Sequence, residues 1–236
     1  MNWLRPKPRS FPVTNNATKA DAALAGRSGP PDASLTADDG LLPAREGRLA
    51  YPFADQIPGE GKLTKISDCL QWARIPMPGS LAHINSWLIG DGSDGGSAGH
   101  AVVDTGLMLE MSSGAWKALF ADALAGQTVT RVLCTHMHPD HIGLAGWLVR
   151  RFDAPLLMTR AEWLTAKVLV GDMRDEPPHE VTAMRRAAGW DEESIEAGRA
   201  AGWSRMNRVV FKLPYGYTRI VDGQLLKFGE SEWQVV

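Results

Sequence analysis

The stretch TVTRVLCTHMHPDHIGLAGWLVRRF, residues 128–152, restricts the fold more than any other part of the chain. TVTRVLCT is β-branched and apolar, which marks a strand, and Ala145, Leu148, Val149 and Phe152 recur at i, i+3, i+4 and i+7, which marks a helix. Between them, His136, His138, Asp140 and His141 crowd into six positions that hold half of the six histidines. A strand handing over to a helix through a polar turn is a unit of an α/β sheet, with the turn at the strand's end. Polar decoration of a turn is the bland alternative, and four metal-type ligands in six positions argue against it.

Side chains two apart on an extended backbone point the same way, so His136 and His138 can present their rings to one metal ion. Pro139 supports that geometry, because the residue before a proline is pushed from helical angles and His138 is held extended. Asp140 and His141 project from the turn into the next helix, where they can approach a second ion. Imidazole and carboxylate without thiolate favour zinc, and iron or manganese accept the same ligands. Zinc with an open position lowers the pKa of bound water toward about 7. Asp140 is placed to orient such a water and take its proton.

The remaining chain fits an α/β order. Residues 1–60, rich in Pro, Gly, Ala, Ser and Asp, are expected to form an extended or disordered leader. The domain proper is expected over 61–236. QWARIPMP, HINSWLIG and HAVVDTG read as strands, the last two joined across DGSDGGSAG. Trp116, Leu119, Phe120, Ala123 and Leu124 form a helical stripe that Gly126 ends. APLLM reads as a buried strand, and Thr159 with Glu162 as a capping box opening a helix through about Val170. A helical insertion over about 172–205 holds two helices parted near Gly189, the second capped by Asp191. TRIVDGQLLKF reads as a hairpin turning at Asp222-Gly223, followed by the strand EWQVV.

Composition narrows the function. The 25 basic and 27 acidic residues nearly cancel, so neither nucleic acid nor an anionic membrane surface is an expected partner, and a small-molecule substrate is. Cys69 and Cys134 have no paired spacing, which suits a reducing, cytoplasmic setting. Neither a signal-type apolar run nor a membrane span is legible.

THMHPDHIG resembles the HxHxDH signature of the metallo-β-lactamase-fold hydrolases, which include glyoxalase II-like thioesterases, and VVDTG is similar to the family strand ending in Asp-Thr-Gly. The resemblance runs from about Gln71 to Val236. It implies an αββα sandwich of which the N-terminal half to two-thirds is present. It also implies two zinc ions, with His136 and His138 on the first, Asp140 and His141 on the second, and Asp104 accepting a ligand histidine's N–H. The family's third histidine for the first metal, in a Gly-His-x-x-x-His segment, does not follow EWQVV, nor do the bridging aspartate and last histidine. The expectation is therefore an incomplete site, binding metal weakly, with an apolar edge at WQVV. The implied activity is hydrolysis of a small ester, thioester or amide, expected to be weak or absent in the chain as given. The rivals are a non-catalytic binding subunit and an iron-dependent redox enzyme on the same ligands.

Other residues carry weaker signals. His83, in a strand, His100, at a hairpin end, and His179, after Pro177-Pro178, are expected away from the metal. Trp87, Trp116, Trp147 and Trp163 fit core faces, and Trp190 and Trp203 lie in the insertion. Arg185 and Arg186 there are candidates for steering an anionic substrate.

Overall fold

The computed structural model describes residues 44–46, 49–53, 56–92, 99–203 and 206–236. Most of the expected leader, residues 1–43, lies outside them, as does the centre of the DGSDGGSAG turn. Two short strands, β1 (Ala44–Glu46) and β2 (Leu49–Tyr51), pair as a hairpin within the stretch expected to be leader. Then come β3 (Thr64–Lys65), β4 (Leu70–Pro76), β5 (His83–Gly90), β6 (Gly99–Val103), α1 (Glu110–Ala121), β7 (Thr128–Leu133), α2 (Pro139–Ile142), α3 (Ala145–Phe152), β8 (Leu156–Met158) and α4 (Arg160–Gly171). The chain continues through α5 (His179–Ala187), α6 (Glu192–Ala200), α7 (Met206–Val209), β9 (Thr218–Arg219), β10 (Leu225–Phe228) and β11 (Ser231–Gln234).

Strands β3 to β9 form one sheet in sequential order, antiparallel through β6 and parallel from β6 to β9. The switch occurs where the connections become helical, since parallel neighbours need a crossover and antiparallel ones a turn. Alternation divides the strand residues between two faces. Ile75, Leu88, Val102, Val132 and Met158 turn toward Trp116, Leu119, Leu148 and Trp163, all buried in one core under α1, α3 and α4. Ile89 and Ala101 face the other way, where Phe228 is buried against them and Leu70, Val103, Leu133, Leu226 and Trp233 pack around it. The class is the expected one, mixed α/β with helices on one face of the main sheet and a strand layer begun on the other.

Three local expectations are corrected. The stripe of α1 keeps Trp116 and Leu119 buried, but the helix ends at Ala121, and Leu124 enters the core from the turn, its N–H bonded to Leu119 O. Asp222-Gly223 does turn the chain, with φ +76° at Gly223, yet the strands on either side do not pair. β9 continues the main sheet beside β8, and the hairpin forms one element later, β10 with β11, across Gly229. The reason is burial: Phe228, 1% exposed, seats under the guanidinium of Arg131, 4.5 Å from its ring centre, and that fixes β10 over the sheet. β11 has a partner on one side, and Val236 is fully exposed beside a groove of about 430 Å³ lined by Trp87, Val103, Leu133, Trp233 and their neighbours. The third correction, the capping box at Thr159, belongs to the site.

In the insertion, Asp191 caps α6 as expected, its Oδ1 accepting the Ser194 N–H at 2.7 Å. Arg186 is engaged by Glu192, and Arg185 lies over Trp190, so both arginines have local partners. Among the described residues no helix is long and apolar enough to cross a membrane.

Candidate metal centre

The site forms at the end of β6 and β7, where both strands stop at the same level because Val103 pairs with Leu133 in parallel register. Asp104 leaves β6 at φ +61°, a left-handed conformation rare outside glycine, and is buried. Its carboxylate gathers three donors. Oδ1 accepts the Thr135 N–H at 2.9 Å, while Oδ2 accepts the Thr135 hydroxyl and His141 Nδ1, each at 2.8 Å. The strained backbone is held from behind: Ser86 Oγ donates to Asp104 O at 2.7 Å, and Trp116 Nε1 to Thr105 O at 2.8 Å.

Those bonds fix the imidazole protons. Because Thr135 gives its single hydroxyl proton to Asp104, His136 Nδ1, 2.9 Å away, must donate to Thr135 Oγ1, which leaves the Nε2 lone pair of His136 free. His141 gives its Nδ1 proton to Asp104, so in the neutral ring its Nε2, 3.4 Å from Asp140 Oδ2, is the open nitrogen. His136 Nε2 faces His138 Nδ1 at 2.9 Å. Two nitrogens on one tetrahedral zinc stand about 3.3 Å apart, given Zn–N near 2.05 Å, so this pair approximates a bidentate clamp. The ring of His136 is nearer to His141, 4.0 Å between centroids, than to His138, 4.6 Å. Charge divides the two rings. Burial, then the neighbouring His141 and His138, pushes the His136 pKa down and keeps its lone pair available. The hydrogen bond to Asp104 pushes His141 up against its partial burial. Beneath them Cys134 is held well above the usual thiol range by burial and Asp104, and is inert.

Residues 138–143 form a tight turn. His138 takes φ −61° and ψ 143°, the extended conformation imposed by Pro139, and its carbonyl accepts the N–H groups of His141 and Ile142. Gly143 is required by close approach: a Cβ there would run into the carbonyl oxygens of Gly106 and Pro139 and come 2.7 Å from Leu107 Cα. The backbone of the turn is thereby locked to the Asp-Thr-Gly loop, Thr105 N and Oγ1 both donating to His141 O at 2.9 Å.

All five residues singled out in the sequence meet here: His136, His138, Asp140 and His141, with Asp104 behind them. The donor chemistry fits a divalent cation, although among the described residues no group of three or more His, Cys, Asp or Glu side chains closes around one point. His83, His100 and His179 lie elsewhere, in β5, buried in β6 and at the start of α5.

Two contributors were missed. Thr135, the bridge between Asp104 and His136, had a signal in its position immediately before the motif. Glu162 was assigned to a capping box, but Thr159 makes no side-chain cap, and Glu162 Oε2 instead accepts the Met137 N–H at 2.7 Å. The half-buried Met137 N–H takes that carboxylate in a charge-assisted bond in place of the helix terminus. Glu162→Ala is therefore expected to weaken zinc binding roughly tenfold by loosening Met137 between its two histidines, whereas Glu162→Gln retains most of it. Competition with a chromophoric chelator measures both, and equal affinity in the alanine variant and the parent would remove Glu162 from the site.

Residues 80–205 match the model of the metallo-beta-lactamase superfamily, more than half of the chain. The chain belongs to that superfamily. A beta-lactamase domain protein from Burkholderia ambifaria is 33% identical, aligned over 79% of this chain and 52% of its own, with a TM-score of 0.64. A metallo-beta-lactamase family protein from Thermus thermophilus is 22% identical over 73% and 52%, with a TM-score of 0.54, a likeness of fold. The chain spans about half the length of these superfamily structures. Comparison with curated proteins found no match.

Proposed function

We propose that this superfamily chain carries the metal-binding half of a hydrolase acting on a small ester, thioester or amide. One observation carries the reading: Asp104 and Thr135 fix the protons of His141 and His136 so that an open nitrogen of each lies beside Asp140 and His138. His136 and His138 would hold one ion, Asp140 and His141 a second, with zinc the best match to nitrogen and carboxylate donors. The metal, when bound, supplies a Lewis acid that brings water within reach of deprotonation at neutral pH. The protein's own part is to hold the ligands and the proton acceptor. Asp140, half-buried and open on one side, orients the attacking water and receives its proton. Thr135 and His138 are exposed, so an acyl group can approach from solvent.

Chelator treatment, zinc reconstitution and turnover of a panel of aryl esters, acyl thioesters and anilides test this. Turnover is expected to vanish on metal removal, return with zinc, and fall about 100-fold or more in Asp140→Asn. Turnover indifferent to chelation would overturn the proposal, and zinc bound without turnover on any acyl class would favour a non-catalytic binding subunit. Iron with oxygen consumption would favour the redox rival.

A further inference from the structure

At the same end of the sheet as the histidines, but three strands away, a second polar cluster stands on β4 and β5. Arg74 and His83 face each other across that strand pair, Arg74 Nη2 lying 2.6 Å from His83 Nδ1. An arginine can only donate, so Nδ1 accepts and the His83 proton sits on Nε2. Burial and then the charge of Arg74 push the His83 pKa down, in keeping with a neutral ring. The pair thus presents guanidinium N–H groups and an imidazole N–H, and no acceptor. Arg74 Nε is buried without a hydrogen-bond partner, and among the described residues Arg74 makes no ion pair. Glu60 shares the concavity, about 310 Å³ and floored by Pro58, Pro76 and Ala82, but is itself exposed. Glu60 makes no ion pair with Arg74, and a guanidinium in a concave site with an unused N–H is an anion receptor.

Strand register ties this cluster to the metal centre. Arg74 pairs with Asn85, and Trp87 with Val103, which in turn pairs with Leu133. In that register Trp72, Trp87, Val103 and Leu133 form one row, with Arg74 two residues past Trp72 and Thr135 two past Leu133 toward the same end. Three strand spacings separate the ends of that row, roughly 14 Å. The turn leading into His83 is strained, Ala82 standing at φ +59°, while Met77 N donates to Ala82 O and His83 N to Leu81 O. A non-glycine residue held in that conformation marks a position that the surroundings over-determine.

We propose that Arg74 and His83 bind a carboxylate at the end of the substrate remote from the cleaved bond, so that the preferred substrates are acyl compounds with an anionic tail. The substrate assignment rests on the hydrolase reading above; the anion site does not. It makes Arg74 a specificity-determining residue, and its partner a positioning one.

Titration of the isotopically labelled chain with glutarate, followed by imidazole NMR signals, tests the site without turnover. Saturable shifts of His83 are expected with glutarate and not with the neutral glutaramide. Arg74→Gln, which keeps a donor toward His83 Nδ1 and removes the charge, should abolish them. Shifts that persist in Arg74→Gln, or that glutaramide reproduces, would overturn the site. Competition between glutaryl and pentanoyl thioesters then tests the substrate: the preference for the glutaryl compound should fall about tenfold in Arg74→Gln, the loss expected for one charge-assisted bond. Response of His83 to glutarate with no turnover of either thioester would uphold the anion site and remove the hydrolase reading. Turnover of both at equal efficiency, with His83 silent, would do the reverse.

Discussion

Asp104→Ala is expected to cost the fold about 2–4 kcal/mol, from part-buried donors deprived of their acceptor and from the left-handed backbone at this position. The buried carboxylate organises Thr135 N, Thr135 Oγ1 and His141 Nδ1, and alanine would take the acceptor from Thr135 N and His141 Nδ1, while the hydroxyl of exposed Thr135 turns to water. Alanine also tolerates φ +61° poorly, whereas asparagine visits that region readily. Asp104→Asn should therefore lose less, roughly 1–3 kcal/mol, keeping an oxygen for the Thr135 N–H and surrendering the charge-assisted bond to His141. Urea unfolding of the metal-free chain reads both. A loss under about 1 kcal/mol in the alanine variant would mean that the turn holds itself together without Asp104.

That network shows what was legible in the sequence and what was not. The pair β7–α3 and the gathering of histidines and aspartate between them were readable because both signals are local: periodicity names the elements, and Pro139 fixes the backbone of His138. Asp104 was readable through its place at the end of an apolar strand, in the Asp-Thr-Gly sequence. Thr135 and Glu162 were not, because their partners are set by chain crossings, 31 residues away for Thr135 and 25 for Glu162. Glu162 was misassigned for a definite reason: Thr-x-x-Glu before an apolar run satisfies the local rule, and the competing acceptor role exists only once the loop at Met137 meets α4. The Asp222-Gly223 turn failed likewise. A local rule locates the turn, but which strands pair depends on Phe228 reaching Arg131 and Ile89, a tertiary contact that no dipeptide encodes. Arg74 and His83 stand nine residues apart in antiparallel strands whose register the sequence left open, so their meeting was invisible.

Removing His136 or His138 is expected to weaken zinc capture about 100-fold or more, above the effect of losing an orienting neighbour, and the pattern of double variants should reveal how the ligands are shared. If His136 and His138 grip one ion, deleting both costs little more than deleting either, because the first deletion already forfeits that ion. The same holds for Asp140 with His141. Across the two pairs, the losses should add. The geometry makes this a sharp test, since the His136 ring is nearer to that of His141 than to that of His138, and proximity alone does not choose between one shared ion and two. What favours two is the proton arrangement: the open nitrogen of His136 faces His138, while that of His141 faces Asp140. Strong coupling between His136→Ala and His141→Ala in zinc titrations, with a stoichiometry of one, would show instead that a single ion sits among all the rings, and would move Asp140 from ligand to proton acceptor alone.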